Sequence, residues 1–292
     1  MTEVFLPQSL EEFWDIQNRY PEAVVYAGGT DVLVRLRSGL AKRTCLLCVE
    51  RIESLKGVHE SGGEIVIGAA TTHSQIQEHP VIMRLFPILA KAIRVLGSPP
   101  IRHMGTIGGN IVTASPAGDS LPPLYALAAG VEIQSKNSSR RAALTDFILG
   151  PGTVDLRRGE ILTKILLKKS PEWNIHHYEK VGKRKAQACA VASLAALLQI
   201  SEAGTIERAR LAWGSVGPTV VTSREVEEAI VGKPISLEIF RGASDLVKKA
   251  VSPIDDIRAS AEYRRAVAVG LVQRLAEHRL RSDPKLNSIH SH

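Results

Sequence analysis

Two stretches, VVYAGGTDVLVRL around Gly28 and Gly29 and GTIGGNI around Gly108 and Gly109, combine bare backbone with small polar side chains. In the first, an apolar strand-like run leads into the glycines, and Val32, Leu33 and Leu36 then recur with helical spacing. Main-chain N–H groups at such a turn face outward, with about half a positive charge of the helix behind them. A side chain at Gly28 or Gly29 would keep an oxygen-rich ligand off those amides, and a phosphate suits the turn. The pattern is neither GxGxxG nor GxxxxGK[ST], so neither a Rossmann nor a P-loop reading is licensed. A plain glycine turn capped by Thr30 is the competing reading. The second loop shifts the balance, because two glycine turns before helix starts would grip the two phosphates of one dinucleotide from opposite lobes. Thr106 and Asn110 are placed to bond phosphate or sugar-alcohol oxygens. Asp119 either accepts from sugar hydroxyls, as carboxylates do in dinucleotide sites, or caps a helix.

Other reactive residue types are less organised. Cys45 and Cys48 form a CxxC, but a zinc or iron–sulfur site needs about four ligands and Cys189 is distant. TCLLCVERI is a nearly continuous apolar run of strand length, which predicts a buried strand. His73, in TTHSQI, and the pair His176 and His177 share no metal-binding motif and are expected in hydrogen-bonding or surface roles.

The elements that must carry the glycine loops can be read from periodicity. SLEEFWDIQNRY predicts a helix with Ser9 as N-cap. AVVYA, the glycine turn, a helix closed at Gly39 and the CxxC strand make a β-turn-α-β unit. A second lobe opens after HESGGE, with IVIGAAT as its first strand. Ile82, Leu85, Leu89, Ile93 and Leu96 mark a helical segment that Pro87 must interrupt. GSPPIRHMGTIGG is expected to be irregular, and DSLPPLYALAAG to be a helix capped by Asp119 or Ser120 and terminated by Gly130. From about residue 175 the runs HHYEKVG, CAVASLAALLQI and IERARLAWGSV, with SEAGT as a turn, predict a small antiparallel sheet. Helices are expected over 222–231, 236–250 and 260–280. The domain boundaries read as 1–57, 58–174 and 175–280, with a frayed tail over 281–292.

The totals fit this plan. With 292 residues and 44% apolar composition the chain can bury two or three cores. The net charge is 37 − 30 = +7, but the basic residues are scattered and aromatics are scarce, which argues against nucleic acid. The N-terminal MTEVFLPQSLEEFWDIQ lacks the pattern of a secretion signal, and no apolar run reaches the roughly 18 residues of a membrane span. The chain therefore reads as cytoplasmic.

YAGGTDVLVRLRSG, IGAATTHSQI, LGSPPIRHMGTIGGNIVTASPAGDSLPPLYALAA and YEKVGKRKAQACAVASLAA occur in an order and spacing that resemble the FAD-binding (medium) subunit of the molybdenum hydroxylases, the xanthine and carbon monoxide dehydrogenase type. The resemblance spans about residues 1–285 and includes SPIDDIRASAEYRR. It implies an α+β fold, with two α/β lobes of the vanillyl-alcohol-oxidase-like FAD-binding type and a C-terminal three-stranded antiparallel sheet with helices. By the same resemblance, Val25, Tyr26, Ala27, Gly28, Gly29, Thr30 and Asp31 with Thr106, Ile107, Gly108, Gly109 and Asn110 hold the pyrophosphate and ribitol. Asp119 lies nearby, and Leu162 and Lys180 lie near the flavin. QACA at 187–190 departs from the family's DDIA or DYA, which leaves the contacts there open.

The resemblance further implies an oxidoreductase subunit with no catalytic side chain or metal of its own. The molybdenum cofactor would sit in a large partner subunit and [2Fe–2S] clusters in a small one, with electrons leaving FAD for NAD or another acceptor. Thr30–Asp31 stands where carbon monoxide dehydrogenases carry His-Ser, which leaves the substrate open. A cysteine-rich insertion of the hydroxybenzoyl-CoA reductase type is missing. The rival readings are a non-catalytic FAD- or nucleotide-binding assembly protein and a freestanding flavin oxidase.

Overall fold

The computed structural model describes residues 3–39, 45–169, 173–184 and 187–282. The described residues fall into two compact units. The first is drawn from Met1–Leu85, Leu96–Ser115 and Leu127–Lys169, the second from Phe86–Val95, Pro116–Ala126 and Ser170–His292. Both mix helix and sheet.

The first unit holds two sheets. In the smaller, Val4–Phe5, Leu46–Cys48 and Val24–Tyr26 lie in that order and all pair in parallel. The CxxC run is thus a buried central strand, covered on one side by the helix Leu10–Arg19. Ser9 caps that helix by accepting from the Glu12 amide at 3.2 Å, and Phe13, Trp14 and Ile16 pack against Leu47, Val49 and Ile52. Each such buried apolar side chain contributes about 1.5–3 kcal/mol. The larger sheet is antiparallel, in the order Val58–Ser61, Glu64–Gly68, Ile161–Lys168, Gly130–Gln134, Ser139–Ala143. The expected first strand of the second lobe is therefore the return strand of a hairpin. Its turn residues Gly62 and Gly63 have φ of 58° and 79°, values that primed hairpin turns require.

In the second unit, Ile175–Gly182, Ala190–Ile200, Ile206–Gly214 and Val221–Thr222 form an antiparallel sheet in chain order. It has four strands rather than the expected three, because a two-residue edge strand is too short to show alternation. Ala192, Leu194, Ala196 and Leu198 face a core shared with Phe240, Val247, Leu271 and Val272 of the C-terminal helices. The other face of the same strand meets the helices Pro87–Arg94 and Leu121–Ala126. Cover on both faces explains a strand that is apolar almost throughout.

Three local expectations are corrected. GSPPIRHMGTIGG is not irregular: Pro99–Met104 and Ile107–Thr113 are helices, the first with prolines in its opening turn, where their missing N–H groups cost nothing. Gly130 does not end a helix but opens a strand, and Ala128, at φ 50°, takes the left-handed position instead. The segment 236–250 breaks at Ala243 into Leu237–Gly242 and Ser244–Ala250. Residues 283–292 of the tail lie outside the described residues. Among the described residues, no helix is long and apolar enough to cross a membrane.

Candidate functional site

The two glycine loops meet in the first unit. Thr72 and Thr106 form an isolated bridge, and the His73 amide donates to the Gly105 carbonyl at 2.9 Å. A Cβ built on Gly28 would sit 1.6 Å from the Met104 carbonyl oxygen, and one on Gly105 would sit 3.3 Å from Thr30 Oγ1. Gly28 is thus glycine because the backbone of one loop lies against the backbone of the other. Gly108 is similar, its Cβ position falling 2.6 Å from Ala69. Gly29 answers a different need, with φ at 72°. Thr113 Oγ1 donates to Asp31 Oδ2 at 3.3 Å, tying the two loops' helices together, while Arg35 lies 3.9 Å from the same carboxylate.

Which amides are available corrects the simplest reading of the sequence. At the second loop every amide of the first helical turn is used within the protein. Ile107 donates to Thr71 O at 3.1 Å, Gly108 to Ala69 O at 2.8 Å, Gly109 to Thr106 Oγ1 at 3.2 Å and Asn110 to Thr106 O at 3.0 Å. At the first loop, by contrast, the amides of Gly28, Gly29, Thr30 and Asp31 have no acceptor among the described residues. Thr30 is not the cap expected; Asp31 occupies the N-cap of Val32–Arg37, and its side chain bonds no helix amide. A run of unbonded N–H groups containing one left-handed residue forms an anion-binding concavity. The second loop contributes a scaffold and the exposed surface of Gly109, whose Cβ position meets only Thr106 Oγ1, at 3.0 Å. A pocket of 170 Å³ lies here, lined among others by Gly28, Thr72, Gln75, Met104 and Thr106.

The remaining residues singled out in this unit support that geometry. Val25 and Tyr26 end the strand entering the first loop. The Ala27 carbonyl accepts from Cys48 Sγ at 3.7 Å. Burial and its bond to Cys48 push the Tyr26 phenol up to about 12. Ile107 is fully buried and anchors the second loop. Leu162 is buried in the large sheet, beside a register shift whose Thr163 carbonyl takes the Ala69 amide at 2.9 Å. Its side chain is core, and the bonds that reach the loop start from its neighbour Thr163 and run through Ala69 to Gly108. His73 is buried rather than exposed. Burial, then the nearby Arg102, lowers its pKa to about 4, so it is neutral.

Asp119 and Lys180 meet in the second unit. Lys180 Nζ donates to Asp119 Oδ2 at 2.6 Å and to the Val95 carbonyl at 2.9 Å, while Tyr178 Oη donates to Asp119 Oδ1 at 3.0 Å. Burial raises the Asp119 pKa against the pull of Lys180, and burial raises that of Tyr178 further still. Asp119 is thus the acceptor of a buried pair. Tyr178 was missed from sequence, although it lies two residues from Lys180 and so on the same strand face. His176 bonds the Trp173 carbonyl at 2.9 Å.

The comparisons give this arrangement a family. Residues 1–169 match the FAD binding domain in molybdopterin dehydrogenase, and residues 177–278 match the CO dehydrogenase flavoprotein C-terminal domain. The chain is 30% identical to the nicotinate dehydrogenase FAD-subunit of Eubacterium barkeri, covering 94% of each chain. It is 29% identical to the carbon monoxide dehydrogenase medium chain of Hydrogenophaga pseudoflava, covering 87% of this chain and 88% of that one. Its fold superposes on quinoline 2-oxidoreductase from Pseudomonas putida 86 with a TM-score of 0.90 at 26% identity, covering 95% and 96%. The fold and the loops define a flavoprotein component of an oxidoreductase. More narrowly, the chain belongs to the FAD-binding medium subunits of the molybdenum hydroxylases.

The residues present fit that cofactor. Four main-chain donors with no acceptor among the described residues suit a diphosphate, which needs directed N–H groups. No cationic side chain is required, because the amides and the loop geometry supply the positive field.

Proposed function

We propose that this subunit passes electrons from [2Fe–2S] clusters of a small partner subunit, through FAD, to NAD⁺ or another acceptor, while the organic substrate is oxidised on a molybdenum cofactor of a large subunit. When bound, FAD supplies the one- and two-electron chemistry that joins such partners. The observation that carries the reading is the run of unbonded amides from Gly28 to Asp31, held in place by the backbone contact of Gly28 with Met104. In this reading the stretch Val25 to Asp31 holds the pyrophosphate, the amides of Gly28 to Asp31 as main-chain donors and Val25 to Ala27 as the strand end that carries them. Thr106 to Asn110 shape the opposite wall, and Gly109 leaves room for the ligand. Asp119 and Lys180 serve as a fixed acceptor–donor pair for polar cofactor atoms, and Leu162 acts only as packing. The protein's part is to bind, orient and exclude water.

Reconstitution with FAD followed by desalting tests this. The flavin visible absorption is expected to stay with the protein, and its loss would end the proposal. Bleaching of the bound flavin by NADH or by a reduced iron–sulfur subunit is expected. A tightly held flavin that no such donor reduces would instead mark a non-catalytic binding protein.

A further inference from the structure

Glu50 has no role in the site described above, yet it stands beside it. Leu46–Cys48 and Val24–Tyr26 run parallel with Cys48 opposite Tyr26, and the Val49 amide donates to the Tyr26 carbonyl at 2.9 Å. The chain that leaves Cys48 therefore emerges next to the chain that enters the glycine turn. Two residues past Cys48 is Glu50, which lines the 170 Å³ cavity together with Ala27 and Gly28. The β-turn-α-β order alone produces this adjacency, because parallel strands bring their carboxyl ends to one edge, where ligands of open sheets bind.

A carboxylate is an unexpected wall for a cavity that opens on an anion-binding turn. Its other polar side chains are mostly engaged: Gln75 Oε1 accepts from the Thr72 amide at 2.9 Å, Thr106 Oγ1 from the Gly109 amide at 3.2 Å, and Lys56 Nζ pairs with Glu53 at 2.8 Å. Glu50 and His103 have no partner among the described residues, and of the cavity's lining residues Glu50 is the one acid. Like charges a few ångströms apart repel, so Glu50 disfavours a phosphate in the cavity itself. It weakens the hold on a neighbouring phosphate too, unless it accepts hydrogen bonds from the same ligand. Sugar hydroxyls next to a phosphate supply those donors, in charge-assisted bonds.

Size and chain order narrow the choice of sugar. A cavity of 170 Å³ is smaller than the roughly 300 Å³ of a site for a whole small ligand, so it suits one sugar of the cofactor rather than a nucleotide. In dinucleotide folds an acid about 20 residues beyond the glycine turn, at the end of the next parallel strand, takes the ribose of adenosine. Glu50 follows Gly29 by 21 residues. We propose that Glu50 selects the adenosine half of FAD, its carboxylate accepting from the hydroxyls of the adenosine ribose in the cavity beside Gly28. The inference deepens the FAD reading given above and rests on it.

The test titrates the full chain, freed of flavin, with FAD, with ADP, with the dideoxyribose analogue of ADP and with FMN. Wild-type protein is expected to bind ADP about tenfold or more tightly than the analogue, the scale of hydrogen bonds to a charged group. Equal binding of the two, none included, would overturn the inference. Glu50→Ala should bind FAD and ADP about tenfold more weakly, yet hold the analogue at least as well as wild type, because the repulsion is gone. FAD binding unchanged in Glu50→Ala would overturn the inference, as would an equal loss for ADP and the analogue, which marks a merely structural role. Loss of FMN binding in parallel with FAD would move the carboxylate to the ribitol and also overturn it. Wild-type protein that retains no FAD would instead end the cofactor reading, whatever Glu50 does.

Discussion

His73 links a single side chain to the pH response of the whole first unit. Its folded pKa is about 4 against an ordinary value of 6.5, so between those values the unfolded chain binds the proton that the folded chain refuses. Stability therefore rises with pH in this window. The contribution is complete above about pH 6.5 and declines as pH falls toward 4, amounting to about 3 kcal/mol at full extent. Denaturant unfolding at pH 7 and pH 4.5 should show this difference in the wild-type protein and much less of it in His73→Gln. An equal pH dependence in both would show that other groups dominate. The sequence placed His73 among hydrogen-bonding or surface histidines. Its burial depends on packing from Gly105 and Arg102, which no local pattern reveals.

Among elements, the two glycine loops separate effects that composition alone merges. Every glycine in them reads the same in the sequence, as absent side-chain volume. In the structure, Gly28 and Gly108 make room for protein and Gly29 supplies a left-handed turn. Gly109 alone leaves its space open at the surface. Gly28→Ala should therefore destabilise the fold by roughly 1–3 kcal/mol, as overpacking does, and lower the thermal midpoint even without cofactor. Gly109→Val is expected to change stability by about 1 kcal/mol or less, since valine is no poorer than glycine in a helix and the added Cβ meets only Thr106 Oγ1, and to reduce FAD retention severely. Wild-type flavin retention in Gly109→Val would remove that residue from the site. Helix starts and the C-terminal strands were legible because caps and alternation are local signals. The two helices in GSPPIRHMGTIGG were not, since glycine and proline there hide elements held by contacts with Ala69, Thr71 and Thr72.

At the scale of the molecule, the sequence carried the family more clearly than the architecture. Motifs that recur in fixed order pointed to a flavin subunit, which the matches over residues 1–169 and 177–278 bear out. The composition of each compact unit was less visible, because Phe86–Val95 and Pro116–Ala126 join the C-terminal part of the chain across long stretches of sequence. Strand pairings such as Lys164 with Gly68 and with Glu132 are likewise non-local. A run read alone cannot disclose its neighbour.

Trp14 lies in the core of the first unit and Trp213 is fully enclosed in the core of the second. Each unit therefore carries its own fluorophore. Variants in which phenylalanine replaces all but one of the three indoles should emit at short wavelength when native and shift red on denaturation. The light from Trp14 would then report melting around the glycine loops, and that from Trp213 melting of the C-terminal sheet, each without an added dye.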